Sequence, residues 1–163
     1  MKFLYPLIFI LPLLFFNCQN VNEKKEINIK SSTKDQTIVE KEIEIILNSD
    51  DLMRFDKNML VVQSGQKITL TLNHTGKMDK SIMGHNFVLL KKDVDVTAFA
   101  EKAILAKNNE YIPEGDEVIV HTKLLGGGES DTIIFDAPEK GYYTYLCSFP
   151  GHWGLMKGKL IVK

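Results

Sequence analysis

From Glu42 onward, apolar and polar positions alternate in short runs separated by turn residues. "EIEIILN" repeats with a period of two, and "MLVVQSGQKITLTLNH" holds two apolar runs around Ser64-Gly65. "HNFVLLK", "EVIVHTKLL", "DTIIFDAP", "GYYTYLC" and "KGKLIVK" continue the series. Period two with β-branched and aromatic residues is the pattern of strands half-buried in a sheet, so the chain is predicted to form an all-β sandwich or barrel. One stretch departs from it. In "DVDVTAFAEKAILAKN" the residues Val96, Phe99, Ala100, Ala103 and Ile104 recur at helical spacing, which predicts one helix inserted between strands.

The first forty residues have a different character. "MKFLYPLIFILPLLFFNCQN" carries Lys2, an apolar run from Phe3 to Phe16, and then Asn17-Cys18. That run falls short of the roughly 20 residues of a membrane span and suits the apolar core of a secretion signal. Its end on a cysteine resembles a bacterial lipoprotein signal, in which Cys18 takes the lipid. Phe15 and Asn17 depart from the usual leucine and small residue of that pattern, a variation some bacterial groups tolerate. "QNVNEKKEINIKSSTKDQTIV" is polar and reads as a flexible tether. The predicted organisation is therefore a signal over 1–17, a lipidated Cys18 with tether over 18–39, and one folded domain over 40–163, exported and held at a membrane of the cell envelope.

Composition narrows the function. With 163 residues, 44% apolar and 25% charged, the chain can bury one ordinary core. A formal net charge of -1 offers no basic surface for nucleic acid. There are two cysteines, and if Cys18 carries lipid, Cys147 is a lone thiol in an oxidising compartment. Such a thiol needs burial or a metal.

Cys147 lies in "CSFPGHWGLMKGKLIVK", where Phe149-Pro150-Gly151 and Gly154 mark a tight loop that also holds His152 and Met156. His85, just after Gly84 in "SIMGHNFVLL", is a fourth candidate from a distant strand end. Two histidines and a cysteine in a trigonal plane with a weak axial methionine form a blue-copper site. The soft thiolate favours Cu(I) while imidazole suits Cu(II) as well, so a mixed set serves both redox states. Taken singly, each residue has a plainer reading: a buried small hydrophobe for Cys147, a strand-end structural role for His85, core packing for Met156.

"YLCSFPGHWGLMKGKLIVK", "MGHNFVLL" and "VIVHTKLLGGGESDTIIFD" closely resemble the azurins, a family of bacterial cupredoxins, and the similarity runs from about Glu42 to Lys163. The resemblance implies an eight-stranded Greek-key β-sandwich with the helical insertion outside it, binding one copper. It places the ligands on His85, Cys147 and His152, with Met156 axial and the Gly84 carbonyl as a second weak axial contact. It also implies that Asn86 ties the two ligand loops together and that the Phe149 backbone N–H donates to the cysteine sulfur. Met53, Met78, Ile82, Met83, Phe149, Pro150, Gly151 and Leu155 match the apolar docking face around the exposed histidine.

Three departures stand out. Positions near Ile43 and Gly65 lack the cysteines of the azurin disulfide, Phe87 replaces a buried tryptophan, and Trp153 follows the exposed ligand histidine in place of a small residue. Trp153 would sit on or beside the docking face, where it either alters partner choice or covers the copper. His74 and His121 match non-ligand histidines and read as structural or surface residues. The implied function is one-electron transfer without enzymatic activity, between redox proteins such as c-type cytochromes or copper or haem reductases, by a monomeric domain. The rival is copper binding or delivery with no electron-transfer partner.

Overall fold

The computed structural model describes residues 41–163; the predicted signal, Cys18 and the tether lie outside the described residues. Two sheets stack face to face. The first has the order β2-β1-β4-β7, from β1 (Glu42–Asp50), β2 (Arg54–Phe55), β4 (Lys67–His74) and β7 (Ser130–Asp136). The second has the order β3-β9-β8-β5-β6, from β3 (Met59–Val62), β5 (Val88–Leu90), β6 (Val118–His121), β8 (Gly141–Leu146) and β9 (Lys157–Val162). β1 pairs with β4, and β3 with β9, in parallel; the other ladders are antiparallel. The predicted sandwich is present. Beyond it the structure adds the two-residue β2 and a one-turn helix, α1 (Lys80–Met83).

Alternation decides which residues fill the space between the sheets. In β4, Ile68, Leu70, Leu72 and His74 are buried while Lys67, Thr69, Thr71 and Asn73 are not. The inward residues meet Leu47 from β1, Leu60 and Val62 from β3, Tyr143 and Tyr145 from β8, and Leu160 and Val162 from β9 in one cluster. Phe87 is fully buried in the same cluster, its ring tilted against Tyr145 at 5.3 Å. His74 keeps the inward phase of its strand, which carries a polar ring to the end of the core.

β5 breaks the alternation because both of its faces are covered, as a continuous apolar run allows. Leu89 faces the inter-sheet core, while Val88 and Leu90 face outward onto α2 (Val96–Leu105). The predicted helix thus forms a partial third layer, with Phe99 and Ala103 packed on Val88, Leu90, Ile112 and Leu146. Asp95 caps its start by accepting from the backbone N–H groups of Thr97 and Ala98 at 2.8 and 3.1 Å. A 3-10 turn at Lys107–Asn109 ends the excursion, and Glu110 and Tyr111 follow with φ of 53° and 64°.

Candidate metal centre

Two segments meet at one end of the sandwich. The first comes from α1, whose cap Asp79 accepts from Ser81 N–H at 2.8 Å and so turns the chain back toward the core. Gly84 follows. A side chain there would press on the Lys80 carbonyl at 2.6 Å and on the Phe149 ring at 2.9 Å, so close approach of backbone requires glycine. His85 then exchanges both backbone hydrogen bonds with Leu125, at 2.9 and 2.8 Å. That bridge holds its ring inward before β5 begins.

The second segment leaves β8 and returns as β9. Phe149-Pro150-Gly151-His152 is a turn closed by His152 N–H to the Phe149 carbonyl at 3.0 Å, with Gly151 at φ 82°. Proline then glycine at the two central positions is the type II signature. Cys147 N–H donates to the Met156 carbonyl at 2.9 Å, closing the loop at its base. Both segments are joined through Asn86, which is fully buried. Its amide donates to Ser148 Oγ at 2.9 Å and its oxygen accepts from Ser148 N–H at 2.9 Å.

His85, Cys147, His152 and Met156 are thereby drawn to one buried place. His85, Cys147 and Met156 are fully covered and His152 is 4% exposed, so His152 is the ring nearer solvent. Cys147 Sγ lies 3.8 Å from His152 Nδ1 and 3.8 Å from the Gly84 carbonyl. An ion about 2.3 Å from a sulfur and about 2.1 Å from a ring nitrogen, at roughly 120°, sets those two atoms about 3.8 Å apart. The sulfur–nitrogen spacing therefore fits a shared ion. His85 supplies a stronger sign: both of its ring nitrogens are buried with no hydrogen-bond partner. Buried polar atoms in folded proteins are nearly always paired, and an unpaired imidazole packed against a second imidazole is what a metal would satisfy. Among the described residues, no three His, Cys, Asp or Glu side chains converge at the spacing of a closed site. The His85 ring stands edge-on to that of His152 with centroids 5.1 Å apart.

Protonation follows burial. The Cys147 thiol is pushed up to about 12 by burial, partly offset by backbone N–H groups of Asn86 and Phe149 that donate to its sulfur. The Phe149 contact was implied by the azurin resemblance; the Asn86 one was not. Without a cation the thiol keeps its proton, so metal binding releases it. His85 is lowered to about 3 by burial first, then by the neighbouring His74 and His152, against opposing pulls from Asp50 and Asp51. His152 is also lowered by burial. Both rings are therefore neutral donors at pH 7, the form a metal takes.

The depression of His85 has a consequence for the metal-free protein. Its folded value lies below the ordinary 6.5, so the unfolded chain takes up the proton first and stability falls as pH drops from 6.5 toward about 3. His85 is expected to contribute a loss of about 1.2 kcal/mol between pH 6 and pH 5. Urea unfolding of the metal-free protein at those two pH values, with His85→Gln as the reference, measures it; equal losses in the two proteins count against the depressed ring.

His74 is buried and stacks on His85 with ring centroids 4.2 Å apart and planes 7° apart. Its Nδ1 accepts from Gly76 N–H at 3.1 Å and its Nε2 meets the Met83 carbonyl at 2.8 Å, so its own nitrogens are satisfied while its ring backs His85. His121 is exposed and apart from the site. Met78, Ile82, Gly151 and Leu155 are exposed, Met53, Met83, Pro150 and Trp153 half-buried, and Phe149 nearly covered. Phe149 and Met53 belong to the apolar cluster around Cys147 and Met156. Sequence reasoning missed the Glu110-Tyr111 corner. Glu110 accepts from the Asn86 amide through its carbonyl at 3.2 Å and from Leu124 N–H through its carboxylate at 3.0 Å. Tyr111 packs edge-on against Phe149 at 5.1 Å. Only the left-handed φ pair at this corner would have signalled it, and a sequence does not print φ for Glu and Tyr.

Residues 41–163 match the model of copper binding proteins, plastocyanin/azurin family. An azurin from Alcaligenes faecalis is 39% identical over 122 residues, covering 72% of this chain and 95% of that protein. An azurin from Bordetella pertussis is 44% identical over 125 residues, covering 73% of this chain and 83% of that protein. Among solved structures, dithionite-reduced auracyanin from Roseiflexus castenholzii superimposes with a TM-score of 0.67 at 36% identity, over 74% of this chain and 96% of that one. An azurin from Methylomonas sp. strain J gives 0.67 at 34%, over 74% and 97%.

Proposed function

Because this chain belongs to the plastocyanin/azurin family of copper-binding proteins, with one copper ion as cofactor, we propose that it is a one-electron carrier of the bacterial cell envelope. In this reading His85, Cys147 and His152 would hold the ion, with Met156 and the Gly84 carbonyl as weaker contacts. Copper supplies the Cu(I)/Cu(II) couple when bound. What carries the assignment is the pair of unpartnered ring nitrogens on His85, buried beside the Cys147–His152 contact.

The protein's own contribution is to keep these donors in place through both redox states. Asn86 locks one ligand segment to the other, the Asn86 and Phe149 N–H groups donate to the sulfur, and His74 backs the His85 ring. Donors held this way need little rearrangement when an electron arrives. Burial of Cys147 also keeps the thiol from external oxidants. The exposed apolar residues Met78, Ile82 and Leu155, with Met53, Met83, Pro150 and Gly151 beside them, offer a docking face near His152. Methionine-rich apolar surfaces adapt to partners, and small contacts release quickly, as redox encounters require. Partners would be redox proteins such as c-type cytochromes or copper or haem reductases, met at a membrane to which lipid on Cys18 tethers the domain.

Titration of the purified metal-free protein with Cu(II) tests this. One equivalent should give an intense blue band that ascorbate bleaches and oxygen or ferricyanide restores through repeated cycles, with the copper retained against a chelator. A colourless complex, two bound ions, or copper that leaves on each reduction would point instead to delivery rather than electron transfer.

A further inference from the structure

Trp153 stands in the outer part of the ligand loop, between buried His152 and exposed Gly154. From Pro150 to Leu155 the backbone hydrogen bonds stay inside the loop: His152 N–H to Phe149, and Leu155 and Met156 N–H to His152, at 3.0, 3.0 and 2.8 Å. Gly151 and Gly154 bracket the pair His152-Trp153, and neither has a neighbour where a side chain would stand. Two glycines on either side of a ligand make a natural pair of hinges. Of the side chains beside these glycines, His152 and Met156 are buried toward the candidate site, while Leu155 is 70% exposed.

Trp153 differs. It is half-buried, and its ring packs on the cluster of Val88, Leu90, Phe99, Ala103, Ile112 and Leu146 outside the second sheet. Lys157 sets its ammonium 5.3 Å from the ring centroid, a cation–π contact on the same aromatic. The indole therefore reaches from the ligand loop into the layer built by α2. Four of those six cluster residues come from α2 and β5, the elements on which the loop must be registered.

We propose, on the reading that His152 and Met156 are ligands, that Trp153 is a positioning residue fastening the ligand loop to the α2 layer. It fixes the His152 side of the site against two glycine hinges, and the helical excursion supplies its seat. Because Trp153 is the only tryptophan in the chain, its surroundings can be read directly.

The test uses the full chain, first without metal. Its tryptophan emission should be blue-shifted and slow to quench with acrylamide, while fully water-like emission overturns the proposal. In Trp153→Ala the amides of Leu155 and Met156 should exchange about tenfold faster, equivalent to losing a contact worth about 1.4 kcal/mol. Trp153→Phe should restore most of the protection, and amides of β4 should be unchanged in both variants. Equal protection in wild type and Trp153→Ala, or equal acceleration in β4, overturns it. With copper loaded, Trp153→Ala should release the ion to a chelator about tenfold faster and shift the reduction potential, with Phe again restoring both. Faster amide exchange with unchanged release and potential would reduce Trp153 to packing and overturn its positioning role. Should the chain bind no copper, the proposed function fails, yet the metal-free exchange data still decide whether Trp153 fastens the loop.

Discussion

Cys147→Ser is expected to abolish the blue colour and to weaken copper binding by more than about 100-fold. The lower bound follows from scale: losing a group that merely orients a metal ligand costs about 10–100-fold, and here the ligand itself is lost. A hydroxyl cannot replace the thiolate, because its proton is far harder to remove and its oxygen is a hard donor that does not suit Cu(I). The site also withholds help from any weaker acid. Burial already raises the Cys147 thiol to about 12, so only a strongly bound cation can hold the anion there. The fold should survive, since serine is smaller than cysteine and the Asn86 and Phe149 N–H groups remain to pair with its oxygen. The metal-free variant should lose about 1–2 kcal/mol in urea unfolding. Visible spectra and chelator competition on the folded variant check the result. A persistent blue band would remove Cys147 from the ligand set.

Asn86→Ala is expected to cost about 3 kcal/mol of stability in the metal-free protein and about 10–100-fold in copper affinity. Asn86 touches three groups at once: the Ser148 N–H, the Ser148 hydroxyl and the Glu110 carbonyl. Asn86 and Ser148 are buried, and removing the amide leaves the Ser148 N–H without a partner in a place water does not reach. A stranded buried group costs about 1–3 kcal/mol, and here more than one is affected. Copper affinity falls because Ser148 adjoins Cys147 while Asn86 adjoins His85, so this amide is the direct link between the two ligand segments. Ser148→Ala is the control. It removes only the hydroxyl and keeps the N–H to Asn86 bond, so it should cost about 1 kcal/mol. If unfolding and chelator competition give the two variants the same losses, the backbone link has no special weight.

Much of this was legible in the chain. Period two in "KITLTLNH" and "KGKLIVK" marks strands and also sets their inward phase, because side chains of a strand alternate by geometry. That phase puts Ile68, Leu70 and Leu72 on one inward face, and the structure carries His74 on the same face, where the sequence alone left it a structural or surface residue. The α2 helix was readable for the same reason at its own period, and the structure adds Asp95 as its cap. In the ligand loop, proline and glycine dictate the turn between Cys147 and His152, since each restricts or frees φ by its covalent structure. Periodicity and turn chemistry act over a few residues, so one sequence displays them.

The site itself needed more than that. Nothing local tells His85 that its ring lies unpartnered beside a sulfur, or that the flat face of His74 stacks on it at 4.2 Å. Glu110 is polar, and neither it nor Tyr111 belongs to a recognisable turn motif, yet the corner they form fastens Asn86 and Phe149. Gly84 has an ordinary φ of -67°, and only the approach of Lys80 and Phe149 explains why a side chain is excluded. Trp153 read as a residue on or beside the docking face, and in the structure it packs on the outer cluster of Val88, Leu90, Phe99, Ala103, Ile112 and Leu146. Each of these depends on surfaces brought together from distant parts of the chain, where shape, burial and the pairing of polar groups are settled only when the sandwich closes. Covalent preference along the backbone chose the strands, the turn and the donors; packing in three dimensions decided which donors meet, which protons they keep and what holds them still.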